Sequence, residues 1–205
     1  MIRWIDNLSD WDRALPAALI VRDVSPERRR VVLKDLAARA LGIEPSGVVL
    51  EHRPLAAPAW VRPAGAGLFL SSASRGDWAV VAVAGAPIGV DVEEIDPEGE
   101  VPWNALHRTE AELLKPLRGE AQARAFARLW SVKEAYVKAL RAGLREADSF
   151  AVRWQEDDVA LIDDPRGSAH GVEARTIWRR AGRSEAAFAT VMLEPPCEAA
   201  DRAGS

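Results

Sequence analysis

The chain has 205 residues, 48% of them hydrophobic, with a formal net charge of −4 and a single cysteine, Cys197. That length suits one large domain or two small ones, and the composition excludes an internal disulfide and nucleic-acid binding driven by overall charge. The first six residues hold no apolar leader, and the longest apolar run, near residues 79–90, is interrupted by Gly and Pro and too short for a bilayer. A soluble cytoplasmic protein with no nucleic-acid or membrane partner is expected.

In chain order, residues 17–24 read as a strand. Ser25 then offers an N-cap and Pro26 a first helical position. That helix runs through Val31, Val32, Leu36, Ala40 and Leu41 and stops at Gly42. Its polar side carries Arg28, Arg29, Arg30, Lys34 and Arg39, which a solvated basic face would explain. Residues 48–51 read as a strand and 54–67 as a loop rich in Pro, Ala and Gly. Residues 68–72 and 77–83 read as strands about a Ser74-Arg75-Gly76 turn. Residues 79–84 are all apolar, the mark of a buried strand.

After the Gly85-Ala86-Pro87 turn, Val90 and Val92 alternate with Asp91 and Glu93. Residues two apart on a strand share a face, so both carboxylates point the same way. Either they are simply solvated or they belong to a site. Residues 96–102 are the clearest linker. They divide an α+β half over 1–96 from a second over 103–194, in which a helical stretch at 103–139 precedes strands at 149–154, 159–162, 171–178 and 186–194. Residues 195–205 read as a loose tail.

The helical stretch holds the other candidates. Phe126, Leu129, Trp130, Tyr136, Val137 and Leu140 form its apolar stripe, and Lys133 falls in the middle of it. Glu134 lies on one edge, with Lys138 one turn on. A buried ammonium is costly without an anionic partner, so Lys133 snorkels to water, pairs with a carboxylate, or lines an anion site with Glu134 and Lys138. Three carboxylates and two lysines suit a hard cation held by oxygens, with phosphate as its other ligand.

Gly89-Val90-Asp91-Val92-Glu93 followed by Phe126-x-x-Leu129-Trp130-Ser131-x-Lys133-Glu134-Ala135-x-x-Lys138 resembles the signature of the 4′-phosphopantetheinyl transferases, in their larger, monomeric type. The resemblance implies two similar α+β halves related by a pseudo-twofold axis, with the site between them. It implies transfer of the phosphopantetheine arm of coenzyme A to a serine of an apo carrier protein. Asp91, Glu93 and Glu134 would hold Mg²⁺, directly or through water, and Lys133 and Lys138 would neutralise the diphosphate. Arg30 and Lys34 become candidates for coenzyme A contacts. Thr109-Glu110-Ala111-Glu112-Leu113-Leu114 resembles a segment whose glutamate faces the site, although a glutamate in the first turn of a helix needs no such role. The proton acceptor is left between Glu134, Glu110 and a water on the metal.

The chain departs from the family where a His and a Lys are implied to hold the phosphoadenosine end. Ser74, followed by Arg75, stands at the place of the His, and Ala57 near that of the Lys. Arg75 is the nearest cation that could compensate, with Arg53 and Arg62 as alternatives. The carrier is expected to be acidic, and Lys115, Arg118, Arg124 and Arg128 form a locally basic segment for it. Two other classes stay open: a relative that grips carriers or nucleotides without chemistry, and a Mg²⁺-dependent hydrolase of nucleotide diphosphates.

Overall fold

The computed structural model describes residues 2–23, 25–51, 59–63, 65–141, 144–166 and 171–194. Arg53, Ala57, Cys197 and the 195–205 tail lie outside these residues. β1 (Arg3–Ile5) runs parallel to β2 (Ala17–Arg22). α1 (Pro26–Leu41) begins and ends as its sequence dictates. Ser25 accepts from the Arg28 amide, and Gly42 at φ +67° closes the last turn onto Ala38 and Arg39. β3 (Val49–Glu51) pairs with β4 (Ala59–Arg62), a strand inside the stretch expected to be loop.

β5 (Phe69–Arg75) and β6 (Trp78–Ala84) form a hairpin. The first strand runs three residues past its expected end, so Ser74 and Arg75 are paired with Ala79 and Trp78, and Gly76-Asp77 makes the turn. β7 (Ile88–Glu94) follows. The expected single helical stretch is broken: a 3-10 turn at Trp103–Ala105, then α2 (Arg108–Leu114) and α3 (Gly119–Leu140). Pro116 cannot donate to a continuing helix, and Gly119 reverses the chain at φ +55°. β8 (Ala151–Trp154), β9 (Val159–Asp163), β10 (Val172–Ala181) and β11 (Ser184–Met192) complete the chain.

The architecture is α+β. One sheet has the order β1-β2-β6-β5 and the other β7-β11-β10-β9-β8. α1 buries Leu33, Leu36 and Ala37 against Leu19, Val81 and Val83 of the first sheet. α3 buries Val132, Ala135, Tyr136 and Val137 against Ala174, Ala189 and Val191 of the second. A third core joins the sheets: Ile20, Val80 and Ala82 meet Val90, Val92 and Phe188. β6 is therefore covered on both faces, which is why its seven residues read as one apolar run. β7 precedes the linker yet pairs with β11, so the second sheet begins before residue 96. Among the described residues no helix is long and apolar enough to cross a membrane.

Candidate active site

The site is set by how closely α3 crosses β7. A Cβ on Gly89 would stand 1.8 Å from the Ala135 carbonyl oxygen and 2.6 Å from the Ala139 amide nitrogen. Only a glycine admits the helix at that distance. Asp91 and Glu93 follow on the same face of β7, so they point at the next stretch of α3. There Lys138 Nζ donates to Asp91 Oδ1 at 2.5 Å and lies 3.2 Å from Glu134 Oε2. Glu93 Oε2 meets Arg75 Nε at 3.5 Å.

This cluster is electrostatically crowded. Burial pushes the Asp91 carboxyl well above the ordinary range; Lys138 opposes the shift, and Glu134 and Glu93 add to it. Burial likewise lifts Glu93 to about 7 against the pull of Arg75. Burial would lower the Lys138 ammonium, but Asp91 and Glu134 outweigh it and hold it above its usual value. Among the described residues, Asp91 Oδ2 is buried without a hydrogen-bond partner. A buried orphan carboxylate oxygen among further carboxylates is the donor set that a hard cation satisfies. Lys138 now sits between Asp91 and Glu134, and among the described residues no three acidic, His or Cys side chains form a ready cation cage.

Glu134 is held at both oxygens. Trp130 Nε1 donates to Oε1 at 3.1 Å, while Lys138 holds Oε2. Phe126 stacks on Trp130 with ring centroids 5.6 Å apart. Residues 126, 130, 134 and 138 thus make one ridge of α3, four apart. The sequence showed this spacing, but not that the indole would serve the carboxylate.

Lys133 and Glu110 lie elsewhere. Lys133 is about 140° around the helix from Lys138 at 100° per residue, and it points into the second core. Its Nζ donates to Glu110 Oε1 at 2.7 Å and to the Phe150 carbonyl at 3.0 Å, and sits 4.3 Å from the Phe150 ring centre. Both side chains are 1% exposed. Glu110 Oε1 also accepts from the Val152 amide, and Oε2 from the His107 amide, which closes a capping box on α2. Every oxygen of Glu110 is committed. The expectation that Glu110 faces the site and Lys133 a diphosphate thus meets a different arrangement: the two satisfy each other in the interior.

At the other rim, Arg29 Nη1 donates to Ser74 Oγ. Burial lowers the Arg29 guanidinium, and Arg30 adds to it. It is Arg29, not Arg30 or Lys34, that α1 turns toward Ser74. Three successive arginines carry no signal of which one faces inward. Of the basic segment on α3, Arg124 pairs with Glu185 at 2.7 Å and lies 4.0 Å over Trp178. Arg128 lies 3.6 Å over Trp154 and donates to Thr176 Oγ1 at 3.3 Å. Both are therefore tied to the second sheet, which leaves Lys115 and Arg118 as the exposed cations of that segment.

A family model described as the 4′-phosphopantetheinyl transferase superfamily matches residues 87–190, which span β7 through most of β11. A 4′-phosphopantetheinyl transferase of Bacillus subtilis is 30% identical over 139 residues, 67% of this chain and 61% of the relative. 4′-Phosphopantetheinyl transferase psf-1 of Bacillus pumilus is 37% identical over 92 residues, 44% of this chain and 40% of the relative. 4′-Phosphopantetheinyl transferase Sfp of Bacillus subtilis strain 168 is 34% identical over 92 residues, 44% and 41%. The chain thus spans 61% of the first relative's length and 40% and 41% of the other two.

Proposed function

The chain belongs to the 4′-phosphopantetheinyl transferase superfamily, and from that premise we propose that it transfers the 4′-phosphopantetheine arm of coenzyme A to a serine of an apo carrier protein. The observation that carries the reading is the orphaned Asp91 Oδ2 beside Glu93, Glu134 and Lys138. The donors fit Mg²⁺, with Asp91, Glu93 and Glu134 as its holders. Mg²⁺ keeps several waters and shares itself with phosphate, so an incomplete protein cage suffices. When bound, the ion would neutralise diphosphate charge.

The chain's own residues supply the rest. Lys138 is charged and 30% exposed, so it can turn from Asp91 toward the diphosphate oxygens. Arg29, Ser74 and Arg75 form a polar rim for the phosphoadenosine end. The serine oxygen attacks the β-phosphorus, the bond to the leaving 3′,5′-ADP breaks, and the serine proton passes to a carboxylate. Glu110 is sealed whereas the Glu134 side chain is 22% exposed, so of these two carboxylates Glu134 is the one that can take it. Phosphoryl transfer asks the protein mainly for positioning and electrostatics, which this cluster provides. An acidic carrier would dock at Lys115 and Arg118, beside Leu113, which is 68% exposed.

The test is to incubate the protein with coenzyme A, Mg²⁺ and an apo carrier protein and weigh the carrier. Gain of one phosphopantetheine arm is the expected result. Cleavage of coenzyme A with the carrier unmodified would instead make the protein a hydrolase. Binding without either change would make it a non-catalytic relative.

A further inference from the structure

The turn that carries Arg75 is held from the other sheet. Gly76 stands at φ +53°, and a Cβ on it would lie 2.2 Å from Glu94 Oε2, so the Glu94 carboxylate is folded directly over the turn. Glu94 Oε1 accepts from the Ser184 hydroxyl at 2.8 Å. Ser184 Oγ in turn accepts from the Trp78 indole N–H at 2.7 Å. A serine has one proton to give, so the relay has a fixed direction, from Trp78 through Ser184 to Glu94. Trp78 is the strand partner of Arg75 across the hairpin, and its ring meets Phe188 edge-on at 5.5 Å. The Trp78 end of the Gly76-Asp77 turn is therefore tied to β11 and β7, and the Glu94 carboxylate lies against its Gly76 end.

Arg75 needs such support. Its side chain is 60% exposed and its contact with Glu93 is 3.5 Å long. An exposed ion pair of that kind fixes a long side chain poorly. Its place is set by the backbone of the turn, which the Asp23 amide holds at the Asp77 carbonyl at 2.8 Å and the relay holds from the other sheet. We propose that Ser184 and Glu94 are positioning residues, holding the β5–β6 turn so that Arg75, which reaches Glu93, faces the same anion as Lys138. The inference rests on the proposed use of coenzyme A. Neither residue touches the reacting atoms; both act through Arg75.

The experiment measures coenzyme A affinity by titration calorimetry with Mg²⁺ present, alongside melting temperature. Ser184→Ala and Glu94→Ala are expected to weaken coenzyme A by about three- to tenfold, less than or near the loss of one hydrogen bond to a charged group. Ser184→Thr, which keeps the hydroxyl, restores the parent value. In an Arg75→Ala background Ser184→Ala adds nothing, whereas in a Lys138→Met background it adds in full. A purely structural role would lower the melting temperature and leave the affinity alone. Trp78→Phe, which removes the indole N–H and keeps a smaller aromatic ring against Phe188, carries the same cycle if Ser184→Ala does not fold. Unchanged affinity, or full additivity with Arg75→Ala, overturns the inference while the proposed function stands. Failure of the parent to bind coenzyme A overturns both.

Discussion

Two lysines five residues apart on α3 each meet carboxylates, and the two clusters differ in one respect that separates structure from function. Lys133 and Glu110 are both sealed from solvent, and each of their polar atoms has a partner: Phe150, Val152 and His107 take what the pair leaves over. Lys138 is shared between Asp91 and Glu134, Glu93 beside them has only the long contact with Arg75, and among the described residues Asp91 Oδ2 stays orphaned. The first cluster is complete by itself. The second is complete only with further positive charge. A buried ion pair therefore says little about function until its unsatisfied atoms are counted.

The sharpest way to break this comparison is at Lys133. Lys133→Met removes the cation and leaves Glu110 buried without its partner, so stability should fall by about 3–5 kcal/mol, measured by urea unfolding. Adding Glu110→Leu should recover much of that loss. Near-parental stability in Lys133→Met, with activity lost, would return Lys133 to the site.

The reciprocal changes come next. Asp91→Asn and Glu134→Gln should each lower carrier modification by about a hundred- to a thousandfold, the scale of one lost electrostatic contact in a transition state. The metal-free fold should be as stable as the parent or more so, because a crowded buried charge is relieved. Mg²⁺ should raise the parent's melting temperature and leave that of Asp91→Asn unmoved, since only the native parent binds it.

A smaller effect follows from Glu93, and its sign is definite. In metal-free protein its carboxyl titrates at about 7 when folded, against an ordinary 4.5. Between those values the native state holds a proton that the unfolded chain releases, so this group's contribution falls as pH rises. Glu93→Gln carries no such proton. With a chelator present, its stability relative to the parent should grow as pH climbs through that window and level off above it. A difference that shrinks with rising pH would contradict the crowded cluster.

The smallest expected change is at the rim. Arg29→Ala should reduce any preference for coenzyme A over dephospho-coenzyme A by about tenfold or less, one charge-assisted contact to phosphate. Arg30→Ala should leave the ratio of catalytic efficiencies alone. Equal effects from both would mean that helix α1 presents no single arginine to the ligand.

What the sequence determined by itself was local. Ser25-Pro26 and Gly42 bound α1, the Val–Asp–Val–Glu alternation aimed two carboxylates one way, and four-residue spacing joined Glu134 to Lys138. These depend on backbone geometry within a few residues, which the chain carries everywhere. Pro116 and Gly119 mark the break between α2 and α3 just as plainly. Other features had no local signal. β1 is three residues long, too short to show a pattern. That β7 pairs with β11 rather than with the strands before it was decided by cores assembled from distant segments. So was the rotation of α3, which sends Lys133 inward and Lys138 to the site, and of α1, which selects Arg29 among three arginines. Local geometry says which residues share a face; only packing says what that face meets.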